Sequence, residues 1–193
     1  SYRSYAEDIH GAGQDLLTLI DNLLDLKELE TTEFELHEET FLISEMITAC
    51  LTKVSEEARN RNIDLTCSID PSLPPLSGDK SRLQKAIHSL LTNALKFTSP
   101  GGKIQIDVTR DKDGSCQISC EDNGAGMPPQ QLAKVFCHDT HLSNIYSNPT
   151  IGIGFGLSYV KQMTEKHNGT VSIISSPGKG TTVTLYLPAD RFR

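Results

Sequence analysis

Three glycines at alternate positions, Gly152, Gly154 and Gly156 in "PTIGIGFGLSYV", stand directly ahead of an apolar run with helical spacing. A glycine-rich entry to a helix lets backbone N–H groups approach an anion, because no Cβ intervenes and the helix dipole adds positive potential. The spacing excludes two common versions of that device. It reads G-x-G-x-G rather than G-x-G-x-x-G, and the preceding "SNPT" is polar instead of a buried strand, so a dinucleotide-binding turn does not fit. A P-loop needs a glycine five residues ahead of its Gly-Lys pair, and Ile173 occupies that place before Gly178 and Lys179. The stretch alone is weak evidence for any one nucleotide fold.

Its surroundings narrow the choice. From Leu42 to Arg59 the residues Ile43, Ile47, Leu51, Val54 and Ala58 recur with helical spacing. "IDLTCSI" alternates as a strand and "DPSLPPLSGD" reads as a proline-rich loop. Asp79 is placed to cap a helix running through "SRLQKAIHSLLTNALKF" and stopping at "TSPGG". Two hairpins follow, "KIQIDVT" with "SCQISCED" around "RDKDG", and "GTVSIISS" with "TTVTLYLP" around "PGKG". Between them lie the loop "NGAGMPP", a short helix "QQLAKVF", a polar stretch from Cys137 to Thr150, and the glycine-opened helix to about His167. The βαβ rhythm of a doubly wound sheet is missing. The expected class is an α/β sandwich (α+β), with a mixed, largely antiparallel sheet and helices on one face.

Ahead of this unit, Ile9, Ala12, Leu16, Leu19, Leu23 and Leu26 alternate spacings of three and four, and Leu17, Ile20 and Leu24 widen the stripe. That is the face of a bundle-type helix that packs on a partner helix. The mixed-charge "ETTEFELHEET" breaks the pattern and acts as the junction. Two parts are therefore expected, residues 1–33 as helix plus junction and residues 34–193 as the globular domain.

Composition removes other classes. A formal charge of −7, from 18 Lys and Arg against 25 Asp and Glu, argues against a nucleic-acid footprint. No apolar run approaches the roughly 18 residues of a membrane helix, and "SYRSYAEDIH" lacks the pattern of a signal peptide. The chain begins in mid-pattern without a methionine, as a fragment would. The five cysteines form no CxxC pair, so reduced core thiols are expected rather than a zinc site; Cys116 and Cys120 fall on one face of a strand.

"LLTNALKFT" on a helix, "DNGAGM" after a strand and "GIGFGL" before a helix occur in that order along a compact chain. This arrangement resembles the Bergerat-type ATP-binding domain of sensor histidine kinases, shared with gyrase, MutL and the heat-shock chaperone ATPases. The three segments look like that family's N, G1 and G2 boxes. The resemblance implies ATP and Mg²⁺ as cofactors. It makes Asp122 the reader of the adenine amino group, with Gly124 and Gly126 letting the backbone pass close to the base. Asn93, on one helix face with Ser89 and Lys96, would hold Mg²⁺, and Lys96 would place a point charge on the phosphates. Gly152, Gly154, Gly156 and Leu157 would form the phosphate hinge, His141 would face the terminal phosphate, and the polar stretch ahead would be the ATP lid.

The N-terminal helix resembles the second helix of the kinases' dimerisation and phosphotransfer hairpin. The implied partners are a second copy of the chain, through a four-helix bundle, and a response-regulator receiver domain. A cytoplasmic location is expected, with no nucleic acid or membrane contact in this segment. The phosphoaccepting first helix is not among these residues, and His10, followed by "GAGQ", lacks an acidic neighbour to act as base. Three positions depart from the family pattern: Ser89 for a second asparagine, Asp139 for an aromatic residue in "VFCHDTHL", and His141 for an arginine. The leading expectation is a protein-histidine kinase domain, and the alternative is a nucleotide-binding pseudokinase acting as a regulatory interaction module. An ATP-clamp ATPase of the gyrase or MutL kind is disfavoured by the bundle helix.

Overall fold

The computed structural model describes residues 34–133, 135–136 and 155–192, together with positions 5, 9, 13 and 20. Expectations for His10, Cys137, Asp139, His141, Gly152 and Gly154, for the polar stretch, and for most of the N-terminal helix lie outside the described residues. The four isolated N-terminal positions are helical, and Tyr5, Ile9 and Ile20 are exposed.

Strand β1 (Glu39–Phe41) leads into helix α1 (Ile43–Asn60), then β2 (Asp64–Ile69), β3 (Leu76–Gly78) and helix α2 (Lys80–Phe97). Strands β4 (Lys103–Arg110) and β5 (Cys116–Asp122) come next, followed by the short helix α3 (Pro129–Leu132) and helix α4 (Phe155–Lys166). The chain closes with β6 (Thr170–Ser176), β7 (Gly180–Leu187) and a 3₁₀ turn, Ala189–Arg191.

The main sheet has the order β2-β4-β5-β7-β6. β2 runs parallel to β4 and every other pairing is antiparallel. The mixed sheet of the sequence reading is therefore present, including both hairpins. One face is apolar: Ile104, Ile106 and Val108 on β4, Cys116, Ile118 and Cys120 on β5, and Val183, Leu185 and Leu187 on β7 are all buried. Helices α1, α2 and α4 supply the opposing layer through Met46, Ile47, Leu83, Ile87, Leu91, Tyr159 and Met163. The intervening residues Lys103, Gln105 and Glu121 face solvent, as period-2 strands with one covered face require. On α1 the buried stripe includes Met46 and Cys50, while Leu51 is only half-buried. The buried thiols of Cys116 and Cys120 are pushed up to about 12 by burial, so they stay protonated and inert.

Two short strands escaped the sequence pattern. β1 and β3 pair antiparallel outside the main sheet, within segments read as junction and proline-rich loop. Long-range contacts hold them. The Asp79 carboxylate caps α2 by accepting from the Arg82 N–H at 3.0 Å, and its other oxygen accepts from the His37 N–H at 3.1 Å. The Asp79 N–H donates to His167 Nε2 at 2.9 Å, while His167 Nδ1 donates to the Met163 carbonyl at 2.8 Å. One neutral, fully buried imidazole thus ties the end of α4 to the start of α2.

Burial holds the His167 pKa below the ordinary 6.5, outweighing the Met163 carbonyl and the charges of Asp79 and Glu38 that favour the cation; Arg191 works with burial. The unfolded chain therefore binds this proton at a higher pH than the folded one, and stability is lost as pH falls below about 6.5. Urea unfolding between about pH 5 and pH 7.5 is expected to show that slope, and His167→Gln, which keeps an acceptor but does not titrate, is expected to flatten it.

Candidate nucleotide site

The described parts of the motif segments lie at the C-terminal ends of α2 and β5 and at the start of α4. The row across the sheet is set by register: Ile104 pairs with Asp122, Asp122 with Thr181, and Thr181 with Ser175. Residues directly opposite in antiparallel strands share a face, so Asp122 lies on the helix-covered side with buried Ile104. Its carboxylate accepts from the Gly124 N–H at 2.8 Å. Burial raises the Asp122 pKa, and the N–H groups of Gly124 and Thr181 pull it back. The result is a half-buried carboxylate with backbone donors from the following loop and from β7.

The loop after Asp122 is fastened to the end of α2. The Ala125 N–H donates to the Phe97 carbonyl at 3.1 Å, one of the oxygens a helix C-terminus leaves unpaired. Gly124 packs so tightly beneath it that a Cβ would collide with that same carbonyl oxygen. Gly126 has φ +64 and lies against the Ser176 carbonyl. A Cβ at either glycine would meet the protein's own backbone, from α2 at Gly124 and from the β6–β7 turn at Gly126.

Gly156 brings α4 against α2. A Cβ there would collide with Ser89 Oγ and lie 3.1 Å from Asn93 Nδ2. Ser89 and Asn93 are half-buried on the α2 face that meets Gly156, whereas Lys96 is exposed, its Nζ 5.8 Å from the Phe97 ring centroid. Leu157 is half-buried and packs on the core rather than lying free. The structure therefore assembles Ser89, Asn93 and Gly156 at one place and Asp122, Gly124 and Ala125 at another, with the last turns of α2 between them. The Phe97 carbonyl, Thr181 and Ser175 were missed by the sequence reading, since backbone acceptors and cross-strand neighbours leave no local signature. Among the described residues no group of three or more His, Cys, Asp or Glu could hold a metal ion.

Residues 78–191 match the model of the histidine kinase-, DNA gyrase B- and HSP90-like ATPase family, and all three motif segments fall inside that span. The chain belongs to this family. It is 32% identical over 188 residues to an uncharacterized sensor-like histidine kinase of Rhizobium meliloti (strain 1021), covering 97% of this chain and 36% of that protein. It is 33% identical over 189 residues to the circadian input-output histidine kinase CikA of Thermosynechococcus vestitus, covering 97% of this chain and 26% of the other. The chain thus spans about a third or less of the length of these curated relatives. The crystal structure of full-length ShkA in complex with AMPPNP superposes with a TM-score of 0.80 at 24% identity, over 96% of this chain and 38% of that one, a likeness of fold. The described domain is the ATP-binding catalytic domain found in histidine kinases.

The two glycine contacts differ in kind, and so do their expected costs. Gly124→Ala drives a methyl into backbone that cannot retreat and is expected to lose about 1–3 kcal/mol of stability. At Gly156 the obstructing atoms end rotatable side chains, so Gly156→Ala is expected to cost less than about 1 kcal/mol, the helix propensity of alanine offsetting part of the crowding. Urea unfolding of both variants checks the order.

Proposed function

We propose that residues 34–193 bind Mg²⁺-ATP for phosphoryl transfer to a histidine on a helix beyond these 193 residues, for relay to an aspartate of a response-regulator receiver domain. Residues 1–33 would be the second helix of the dimerisation and phosphotransfer hairpin plus junction. The exposure of Tyr5, Ile9 and Ile20 supports a homodimeric bundle, where a partner helix would cover them. No described helix is long and apolar enough to cross a membrane. A cytoplasmic location is proposed for the domain.

The observation that carries the reading is that the loop after Asp122 is fastened to the last turn of α2, the helix that also brings Ser89 and Asn93 against Gly156. Asp122 offers an acceptor oxygen for an exocyclic amine, and its Gly124 and Thr181 donors favour the ionised state at neutral pH. Asn93 would give Mg²⁺ one neutral oxygen, which fits an ion that takes its other ligands from water and phosphate and needs no carboxylate cluster. When bound, Mg²⁺ would supply charge neutralisation on the phosphates, the main requirement of phosphoryl transfer. Lys96, exposed at the end of α2, would reach the phosphates as a point charge. The N–H groups opening α4 would face the anion, with Gly152, Gly154 and His141 completing that end and Leu157 anchoring the helix to the core. The short Ser89 hydroxyl favours a weaker phosphate grip and is the specific support for the pseudokinase alternative.

Asp122→Asn is expected to weaken ADP binding at least about tenfold by calorimetry, while stability at neutral pH holds or rises because a raised acid pKa means the ionised group costs stability. Near-normal affinity would count against the adenine assignment. For catalysis, the parent protein with labelled ATP is expected to acquire acid-labile phosphate on histidine, lost in Lys96→Ala. Nucleotide binding with no label over hours would support the pseudokinase instead.

A further inference from the structure

The Ser175 side chain does more than fill the end of the cross-sheet row. Its oxygen accepts from the Met127 N–H at 2.8 Å, lies 3.1 Å from the Gly180 carbonyl, and lies 2.9 Å from Thr181 Oγ1. A second bond, from the Gly178 N–H to the Ala125 carbonyl at 2.7 Å, fastens the same loop to the same turn. One hydroxyl has one proton and two acceptor positions. The Met127 N–H can only donate and the Gly180 carbonyl can only accept. The Ser175 proton therefore goes to Gly180, and the Thr181 hydroxyl becomes the donor to Ser175. With its proton so used, Thr181 Oγ1 has only lone pairs left to present beside Asp122, its direct cross-strand neighbour.

We propose that Ser175 is a positioning residue of the purine end of the site, holding the Met127 end of the loop and committing the Thr181 proton so that Asp122 and Thr181 both present acceptors. Two adjacent acceptors favour a 6-amino purine and oppose a 6-oxo purine, whose oxygen would find no donor. The inference rests on the reading of Asp122 as the base-recognising carboxylate, and it assigns Ser175 no contact with the base.

Calorimetry of the 193-residue chain with ADP and with inosine diphosphate tests it. Ser175→Ala frees the Thr181 proton to donate toward a 6-oxo group, so the preference for ADP over inosine diphosphate is expected to fall about tenfold, with ADP itself weakened about threefold to tenfold. Ser175→Thr, which keeps the hydroxyl, is expected to preserve the preference. In a Thr181→Val background, Ser175→Ala is expected to leave the preference unmoved, as action through Thr181 requires. Mere loosening of the loop would weaken both nucleotides equally, and an unchanged preference in Ser175→Ala overturns the inference. If that variant does not fold, Thr181→Val alone must lower the preference, and failure to do so overturns the inference as well. Asp122-dependent ADP binding with no Ser175 effect sinks this inference alone. An unmodified chain that binds neither nucleotide, or binds ADP without regard to Asp122, sinks the site reading with it.

Discussion

The Phe97 carbonyl, at the last turn of α2, is the contact on which the site's construction depends. A helix ends with carbonyls that have no partner inside it, and burying them unpaired would be costly. Here the carbonyls of Ala94, Leu95, Phe97 and the cap residue Thr98 find partners. Arg61 donates to the carbonyls of Leu95 and Thr98, the Thr98 N–H returns to Ala94, and the Ala125 N–H takes Phe97. Satisfying the helix end and fixing the loop after Asp122 are thus one event. Because Gly124 lies flat beneath the same carbonyl, the carboxylate at the strand end is held at a set distance from the face of α2 that carries Asn93.

That placement works against stability in one respect. Asp122 is raised in pKa by burial, while its backbone donors recover only part of what water would give. The exposed Glu38, by contrast, is paired with a side chain, Arg191, which lowers its pKa. Asp122 has backbone donors instead, all supplied by the loop and by β7. A half-buried carboxylate at a strand end with a raised pKa is a candidate for binding a group outside the fold.

Local patterns in the chain were readable where the physics is local. The alternation of "KIQIDVT" survives as buried Ile104, Ile106 and Val108, the stripe on α1 needs only helical spacing, and Asp79 caps three residues ahead of its own partner. β1 and β3 were not readable, since three residues are too few for a period and their pairing depends on Asp79 reaching back to His37. The parallel pairing of β2 with β4 was equally hidden, because neither strand encodes its neighbour. In the site, Asp122 and Asn93 stood out as side chains in motifs. Ser175 did not, because its importance comes from register, which places it beside a threonine that places it beside a carboxylate.

The two ends of the proposed site are built from different materials. The purine end is backbone and register: Asp122, Gly124, Ala125, Met127, Ser175 and Thr181 are joined by hydrogen bonds through β5, β7 and the β6–β7 turn, and moving any of them disturbs a sheet. The phosphate end is a contact between side chains, where Gly156 of α4 meets Ser89 and Asn93 of α2, groups that can turn without breaking a ladder. His167 ties the end of α4 to the start of α2, away from the contact at Gly156. On the proposed reading, a change at position 89 would act on the phosphate end and leave the hydrogen bonds of the purine end in place.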